Sequence, residues 1–412
     1  MSDRGSLVPL TDSQREHFSW LRDPHVEKII KAFNTADSGA LRFVGGCVRD
    51  SLLGQRPKDI DAATTLRPEQ VIDLLAKAGL RSVPTGVEHG TVTAIADHKA
   101  IEITTLRSDI STDGRRATVA FTDDWAEDAK RRDFTVNAIY LTPDAQLFDP
   151  TGGVNDLSQR RVVFIGNAEE RIKEDYLRIM RFFRFSARFC EGFDPAGLAA
   201  CMALKDGISS LSAERVGEEF SQILRLPKAR FALEGMKETA ILPMIWQSPA
   251  DLDALERIKK VDAAASVPLL LAALYGDAGS GIDQRLRTSN AEKAIRENAL
   301  DAFKKLRAPF DQKTIRAQLY RLGKDSFADG LTLAYANKRL PAQEFRRVME
   351  LISTIEVPEF AISGKHIVAA GVPPGPAISA LLASIEARWI DEDFPGEERQ
   401  HELLRAAIPV AN

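Results

Sequence analysis

The amino-acid sequence predicts an α+β amino-terminal region followed by an all-α remainder. Two observations support this fold class. Residues 1–156 mix short β-branched segments of alternating polarity with amphipathic helical segments, and glycines or prolines separate them. From about residue 157 the β-branched alternation fades, and apolar residues recur at helical spacing to the end of the chain.

Size and composition limit the class of protein. The 412 residues, 44% hydrophobic and 28% charged, suit an ordinary globular protein of more than one domain. The apolar runs are too short to cross a bilayer and the first residues lack a secretory pattern, so neither a membrane span nor a signal peptide is expected. Cys47, Cys190 and Cys201 lack metal-ligand spacing and are predicted to be free thiols in a reducing cytoplasm. Because the formal net charge is −4, any contact with nucleic acid must come from local basic patches.

The predicted elements of the first region follow in order along the chain. LRFVGG (41–46) predicts a strand that ends in a glycine turn, and VRDSLLG (48–54) predicts a short helix. KDIDAATT (58–65) predicts a second strand, and an amphipathic helix follows between Pro68 and Gly79. HGTVTAIADHKAIEITTLRS (89–108) has the alternation of a β-hairpin. The polar stretch at 108–125 has no clear period and predicts a largely mobile loop.

A glycine pair and two aspartates give the first chemical signal. In a strand, residues i and i+2 face the same side, so Asp59 and Asp61 are predicted to project together. Adjacent carboxylates repel each other unless a cation neutralises them, and Mg²⁺ prefers such oxygen ligands together with substrate phosphates. Gly45 and Gly46 would let backbone amides face a phosphate, and Arg49 could add a charge-assisted bond. The alternatives are a solvated strand edge and a plain tight turn.

Two further segments carry polar residues in suggestive patterns. Glu102 alternates with isoleucines, so it is predicted to point away from the core, and it matters only if its face adjoins the two aspartates. In KRRDFTVNAIYL (130–141), Asp133 and Asn137 share a face at helical spacing, directly after Arg132. This segment is either the basic start of a helix with a buried apolar face, or a segment whose cations bind phosphate while its polar side chains bind the sugar.

The segment RIKEDYLRIMRFFRFSARF (171–189) predicts an amphipathic helix, and the simplest interpretation of its phenylalanines is that they pack in the hydrophobic core. Asp175 and Arg178 are three residues apart and therefore neighbours on its surface. They form either an intrahelical ion pair or a reader of the nucleotide base. A carboxylate accepts and a guanidinium donates hydrogen bonds, which matches cytosine and adenine, each with an amino donor beside a ring-nitrogen acceptor. Guanine and uracil present the opposite arrangement, a carbonyl acceptor beside an N–H donor.

Together these residues resemble the class II tRNA nucleotidyltransferase/poly(A) polymerase family of the polymerase-β-like superfamily. The matching segments, in family order, are GGCVRDSLLGQRPKDIDAATT, PTGVEHGTVT, RRDFTVNA, DPTGGVNDL, EDYLRIMRFFRF and AERVGEE. The resemblance implies a nucleotidyltransferase head with a mixed sheet of about five strands and helices. It places the head at 1–156, a helical neck with base recognition at 157–230, a helical body at 231–350, and a helical tail that binds the tRNA elbow at 351–412.

The resemblance also implies roles for individual residues. Asp59 and Asp61 would hold magnesium ions that activate the RNA 3′-hydroxyl and neutralise the triphosphate, and attack on the α-phosphate would expel pyrophosphate. Glu102 matches the third carboxylate of the superfamily. The nucleotide-binding residues are Gly45, Gly46, Arg49 and Arg132 for the phosphates, Asp133 and Asn137 for the ribose, and Asp175 and Arg178 for the base. Glu214 and Arg215 would buttress the neck helices.

The expected activity is template-independent addition of CCA to the 3′ end of tRNA from CTP and ATP. GLRSVPTGVEHGTVT (79–93) is the tRNA-type pattern, and TDGRRATVAF (112–121) indicates an intact loop, which favours the complete CCA. The alternatives are a poly(A) polymerase, an enzyme that adds only part of CCA, and an inactive RNA-binding relative. The acceptor stem and elbow of tRNA would bind through phosphates and A-form shape. Arg181, Arg184 and Arg188 are candidates for contact with the RNA backbone or for structural ion pairs. No membrane and no protein partner is expected.

Overall fold

The computed structural model describes residues 6–87, 90–113 and 116–408 of the chain. Its contacts divide the chain into two units, Met1–Gln247 and Ser248–Asn412. Within the described ranges, none of the helices combines the length and the apolar character that crossing a membrane requires.

The first unit contains the predicted mixed sheet. Its strands are β1 (Val8–Pro9), β2 (Leu41–Val44), β3 (Asp61–Thr64), β4 (Arg81–Gly86), β5 (Thr91–Ala96), β6 (Lys99–Thr105), β9 (Tyr140–Leu141) and β10 (Gln146–Phe148). Their order is β1-β10-β9-β2-β3-β6-β5-β4, and only β3 and β6 pair in parallel. Eight strands are present where about five were expected. The additional strands β1, β9 and β10 have two or three residues each, too few for a visible alternation.

A second sheet lies where the sequence predicted a mobile loop. β7 (Arg107–Asp113) and β8 (Arg116–Phe121) form a two-stranded antiparallel hairpin. The loop prediction is therefore wrong over these strands, because backbone pairing between neighbouring strands does not require an apolar face. Gly114 and Arg115, at the centre of the segment taken to indicate an intact loop, lie outside the described residues.

The α-helices of the first unit alternate along the chain with its strands and continue after the last of them. They are α1 (Asp12–Arg15), α2 (Pro24–Asn34), α3 (Gly46–Leu52), α4 (Pro68–Lys77), α5 (Trp125–Lys130), α6 (Gly153–Ser158), α7 (Ala168–Glu174), α8 (Leu177–Phe189), α9 (Pro195–Ala203), α10 (Ala213–Arg225), α11 (Ala229–Glu238) and α12 (Leu242–Ile245). The prediction of a single helix over 171–189 is wrong, because α7 ends before Asp175 and α8 begins after Tyr176. Asp175 is extended (φ −155°), and its Oδ1 accepts a hydrogen bond from the Leu177 amide at 3.1 Å.

The regular elements in the described residues of the second unit are all helices, as predicted. Its helices are α13 (Leu252–Val261), α14 (Val267–Tyr275), α15 (Ile282–Leu286), α16 (Asn290–Lys305), α17 (Gln312–Leu322), α18 (Lys324–Ala336), α19 (Ala342–Thr354), α20 (Gly364–Ala369), α21 (Pro376–Asp391) and α22 (Glu397–Ala407). One core in this unit centres on Phe327 and Val348, and another on Ile385 and Trp389. The boundary between the units falls inside the predicted body (231–350), and the finer division into neck, body and tail stays a prediction.

The three cysteines are free, as predicted. Cys47, Cys190 and Cys201 are all buried and form no disulfide. Burial raises the pKa of the Cys47 thiol to about 12, so it stays protonated at neutral pH.

Candidate active site

A cavity of about 450 Å³ lies in the first unit, where β2 ends and β3 begins. Its wall includes Gly45 and Gly46 from the turn after β2, and Asp61 from the start of β3. Seven arginines and three aspartates line it, so positive charge prevails. Most of the residues selected from the sequence therefore come together in one place, although Asp59 and Glu102 are not among the lining residues.

The acidic edge of the site differs in one respect from the prediction. Asp61 is the first residue of β3, but Asp59 lies in a bend before the strand, so the prediction that both project from one strand is wrong. Glu102 lies directly opposite Asp61 in the parallel pairing of β3 with β6. It is exposed between the buried Ile101 and Ile103, so the prediction that it points away from the core is confirmed.

The three carboxylates interact electrostatically. Burial, the charge of Glu102 and the charge of Asp59 raise the pKa of Asp61 to about 6. The described residues contain no group of three or more His, Cys, Asp or Glu side chains arranged to hold a metal ion. The carboxylate oxygens at Asp61 nevertheless fit a hard divalent cation, because such a cation relieves the repulsion between the neighbouring carboxylates. Water and substrate oxygens would complete the coordination shell of the cation.

The glycine turn brings the backbone close to this acidic edge. Gly45 has φ +77° and ψ −125°, a conformation that residues with a Cβ rarely adopt, and α3 begins at the next residue. Arg49 on α3 is buried and hydrogen-bonds the Asp50 carboxylate through Nε at 2.9 Å and Nη2 at 2.8 Å. It also donates to the Asn137 side chain. Arg49 therefore forms a fixed part of the cavity wall.

Asp133 and Asn137 lie together as predicted, although not on an α-helix. Asn137 ends a short 3₁₀ turn, and its Nδ2 donates to Asp133 Oδ1 at 3.0 Å. Arg181 donates to the other oxygen of Asp133 at 2.8 Å. Burial alone would raise the pKa of Asp133, but Arg181 and the hydrogen bonds lower it below its usual range. This carboxylate is therefore ionised and faces the cavity.

Asp175 and Arg178 both line the cavity, but among the ion pairs of the described residues none joins them. The intrahelical ion pair considered from the sequence is therefore absent there. Asp175 Oδ2 accepts from Arg215 at 2.7 Å. Arg178 donates to the Glu174 carboxylate at 2.6 Å and to the Arg171 carbonyl at 2.8 Å. Each side chain is thus held independently beside the cavity, and the Arg215 contact matches its expected buttressing role.

Three arginines follow one face of α8, and each pairs with a carboxylate from a different element. Arg181 pairs with Asp133 at 2.7 Å, Arg188 with Asp50 at 2.7 Å, and Arg184 with Glu219. They therefore form the structural ion pairs that the sequence left as an alternative to RNA contact, while they also line the cavity.

Sequence reasoning missed two residues behind this wall, Asp128 and Tyr140. Arg132 donates to Asp128 Oδ2 through Nε at 3.2 Å and Nη2 at 3.1 Å, and the Tyr140 hydroxyl donates to the same oxygen at 2.7 Å. The spacing of four residues between Asp128 and Arg132 was a usable signal, because such residues meet on a helix. No local signal in the sequence indicates the contact with Tyr140.

The comparison with known proteins decides the family. A family model described as the poly(A) polymerase head domain matches residues 41–163, and one described as tRNA nucleotidyltransferase domain 2 matches residues 270–404. The mitochondrial CCA tRNA nucleotidyltransferase 1 of Homo sapiens is 35% identical over 371 residues, which is 87% of this chain and 84% of that protein. The chain belongs to the tRNA nucleotidyltransferase/poly(A) polymerase family.

Further relatives agree with this membership. The CCA-adding enzyme of Streptococcus thermophilus is 32% identical over 86% of this chain and 90% of its own length. The crystal structure of the Bacillus stearothermophilus CCA-adding enzyme in complex with CTP matches with a TM-score of 0.76 and 26% identity, covering 93% of this chain and 98% of that one. The predicted family, fold class and nucleotidyltransferase activity are confirmed, and the family depends on a divalent metal ion.

Proposed function

We propose that this protein adds CCA to the 3′ end of tRNA, using CTP and ATP and no nucleic-acid template. The observation that carries the proposal is the cavity in which a glycine turn, seven arginines and Asp61 meet, because a triphosphate needs cationic walls and a metal-binding edge. Relatives named as CCA tRNA nucleotidyltransferase and CCA-adding enzyme, which match nearly the whole chain, support this choice of product.

In the reaction, the 3′-hydroxyl oxygen of the RNA attacks the α-phosphorus of the bound nucleotide. A new phosphodiester bond forms, the bond between the α-phosphorus and the bridging oxygen breaks, and pyrophosphate leaves with that electron pair. The proton of the 3′-hydroxyl passes to solvent water. We propose Mg²⁺ as the divalent ion, held by Asp61 and Asp59, because both supply hard oxygen donors. When bound, Mg²⁺ neutralises triphosphate charge and favours ionisation of the 3′-hydroxyl. Glu102, opposite Asp61, completes the acidic edge.

The cationic side of the cavity suits the phosphates and the sugar. Arg132 Nη1 lies 4.0 Å from the place that a Cβ on Gly45 would occupy, so its guanidinium is close to the glycine turn. We assign the triphosphate to this turn and to Arg49 and Arg132. Asp133 and Asn137 are assigned to the ribose hydroxyls, since an ionised carboxylate accepts hydrogen bonds from hydroxyl groups.

Asp175 and Arg178 are assigned to the base. Because other partners hold each of them, the carboxylate and the guanidinium can present an acceptor and a donor side by side to the base edge. Cytosine and adenine offer the complementary order of donor and acceptor. The tail and body helices are assigned to the elbow and acceptor stem of tRNA, through contacts with phosphates.

A cytoplasmic location is also proposed. Because some relatives are named as mitochondrial, cell fractionation is the test of this location.

The experiment that tests the function is nucleotide-resolved sequencing of the product. A tRNA transcript that ends at its discriminator base is incubated with CTP, with ATP, or with both. We expect CC with CTP alone, CCA with both nucleotides, and A from ATP alone when the transcript already ends in CC. A long A tract would identify a poly(A) polymerase, and CC in the presence of both would identify a partial enzyme. Binding of tRNA without incorporation would identify an inactive relative.

A further inference from the structure

The carboxylate of Asp128 lies behind the arginine wall of the cavity and is only 1% exposed. Both of its oxygens are fully engaged. Oδ1 accepts from the Arg107 amide at 3.2 Å and from Arg131 Nε at 2.9 Å. Oδ2 accepts from Arg132 at 3.2 and 3.1 Å and from the Tyr140 hydroxyl at 2.7 Å. One buried group therefore joins α5, the segment after it, the hairpin and the sheet.

Asp128 is ionised, so these contacts are charge-assisted. Burial alone would raise its pKa, but the charges of Arg132 and Arg131 and the hydrogen bond from Tyr140 lower the pKa to about 2. Breaking these contacts would leave an uncompensated charge in the interior, which is strongly unfavourable. The two arginines are therefore held in place in the absence of any ligand.

Both arginines belong to the cavity wall, and their orientation follows from Asp128. Because Nε and Nη2 of Arg132 bind Oδ2, its remaining nitrogen, Nη1, is turned toward Gly45. The guanidinium also lies over the Tyr140 ring, 5.3 Å from its centroid. An arginine fixed in this way loses little conformational entropy when it meets an anion, so more of the contact energy appears as affinity.

The same carboxylate connects two other parts of the site. Arg107 is the first residue of β7, so Asp128 ties the base of the hairpin to Arg131. The Arg131 carbonyl in turn accepts from Arg178 Nη2 at 3.2 Å. A continuous set of hydrogen bonds therefore runs from the hairpin through Asp128 to the residue assigned to the base.

We propose that Asp128 is a positioning residue for nucleotidyl transfer, which sets the Arg131 and Arg132 guanidiniums for the incoming triphosphate. Asp128 does not itself line the cavity and acts through its two arginine partners. The inference rests on the proposed function, because the triphosphate in question is that of the incoming CTP or ATP.

The first test is the Asp128→Asn variant, which keeps the shape of the side chain but removes its charge and one acceptor oxygen. We expect the KM for CTP and ATP to rise about tenfold or more, since charge-assisted contacts that orient the arginines are lost. The KM for tRNA should stay within about twofold, because RNA is assigned to contacts with other residues. An unchanged KM for both nucleotides would overturn the proposal, as would an equal rise in the KM for tRNA.

A matched control is available in the second unit. Asp283 is also buried, and it binds Arg296 through Nε at 2.9 Å and through Nη2, as Asp128 binds Arg132. The Asp283→Asn variant should lose stability in the same way but keep the wild-type KM for CTP. If Asp283→Asn raised the KM for CTP as much as Asp128→Asn did, the effect of Asp128 would be general destabilisation, and the proposal would be wrong.

A double-mutant cycle tests whether Asp128 acts through Arg132. In an Arg132→Met background, Asp128→Asn should change the KM for CTP less than it does in the wild type, because one of its two arginine partners is already gone. Fully additive effects would contradict the proposal. Tyr140→Phe is the alternative variant if Asp128→Asn does not fold, because it removes one hydrogen bond to the same carboxylate. It should raise the KM for CTP about threefold. An unchanged KM for CTP in this variant would contradict the proposal.

Equilibrium dialysis with CTP and Mg²⁺ separates this inference from the proposed function. Binding of CTP by the wild type and weaker binding by Asp128→Asn would support the positioning role even if neither protein adds CCA. In that case the proposed function fails and the inference stands. Equal CTP binding by the two proteins would overturn the inference, whatever the wild type adds to tRNA.

Discussion

The two units of the chain use charged side chains in different ways. In the first unit, several ion pairs around the cavity join residues that are distant in sequence, such as Asp50 with Arg188, which are 138 positions apart, and local pairs such as Arg132 with Asp128 stand beside them. In the second unit, many pairs join residues three or four positions apart on an exposed helix surface, such as Lys305 with Asp301. Local pairs need only a helix, whereas the distant pairs need a fold that gathers charge around one place. The distant pairs of the first unit meet at one cavity, and this convergence indicates that the chemistry resides there.

The buried pair of Asp283 and Arg296 makes this comparison sharper. It has the same chemistry as Asp128 and Arg132, and both aspartates are buried. The difference lies in the guanidinium, since Arg132 lines the cavity and Arg296 does not. Charge burial alone therefore does not mark a functional residue, and access of the paired guanidinium to a cavity is the additional criterion.

The largest effect is expected from removing charge at the acidic edge. The Asp61→Asn variant should lower the rate of CMP incorporation on the order of a thousandfold, because the carboxylate that faces the triphosphate is lost. Binding of tRNA, measured on filters, should be retained. Asp277→Asn, at an exposed carboxylate of the second unit, serves as the control and should incorporate CMP at the wild-type rate. A fully active Asp61→Asn variant would refute the proposed site.

A loss of stability is expected from the buried pair of the second unit. Asp283→Asn leaves the Arg296 charge without its partner and should lower the free energy of unfolding by about 3 kcal/mol. Denaturant unfolding monitors this change, and incorporation is measured at a temperature where the variant is folded. Loss of incorporation without loss of stability would contradict the assignment of a purely structural role to this pair.

A smaller effect is expected on the choice of base. Asp175→Asn replaces one acceptor oxygen by a donor, so incorporation of UMP relative to CMP should rise about tenfold. Competition between labelled CTP and UTP on the same tRNA measures the ratio. Glu218→Gln on α10, an exposed carboxylate outside the cavity lining, is the matched control. If selectivity survives in Asp175→Asn, the base is read elsewhere.

The smallest effect is expected in the pH dependence of stability. The pKa of Asp61 is raised to about 6, so between its unfolded value and about 6 the folded state binds more protons than the unfolded state. Folded stability therefore falls as the pH rises through this range, and the loss is complete above it. Without metal, Asp61→Asn should melt about 2 °C above the wild type at pH 8 and at the same temperature at pH 4. An identical pH dependence of the two proteins would contradict this interpretation.

The sequence predicted those parts of the site that depend on local pattern. The strand, glycine turn and helix around Gly45 follow from periodicity and from the backbone freedom of glycine. The alternation around Glu102 indicated its orientation, and the parallel partner of that strand then placed it opposite Asp61. These features are local, so one segment of sequence was sufficient.

The errors arise where tertiary contacts override local pattern. Asp59 lies outside the strand, although its spacing fits one, and the helix predicted over 171–189 is interrupted at Asp175, whose carboxylate binds Arg215. The hairpin of β7 and β8 has little apolar alternation, and its first amide is bound by Asp128. The contacts of Asp128 come from three separate segments, and burial of a charged residue cannot be read from its own neighbours in sequence.

The anchoring of Arg178 has a consequence for how the protein tolerates mutation. Two of its hydrogen bonds end on main-chain oxygens, those of Arg171 and Arg131, at 2.8 and 3.2 Å. Every amino acid supplies such an oxygen, so those two anchors persist whatever side chain occupies either position. Substitutions at these two positions should therefore leave part of the support for nucleotide selection intact.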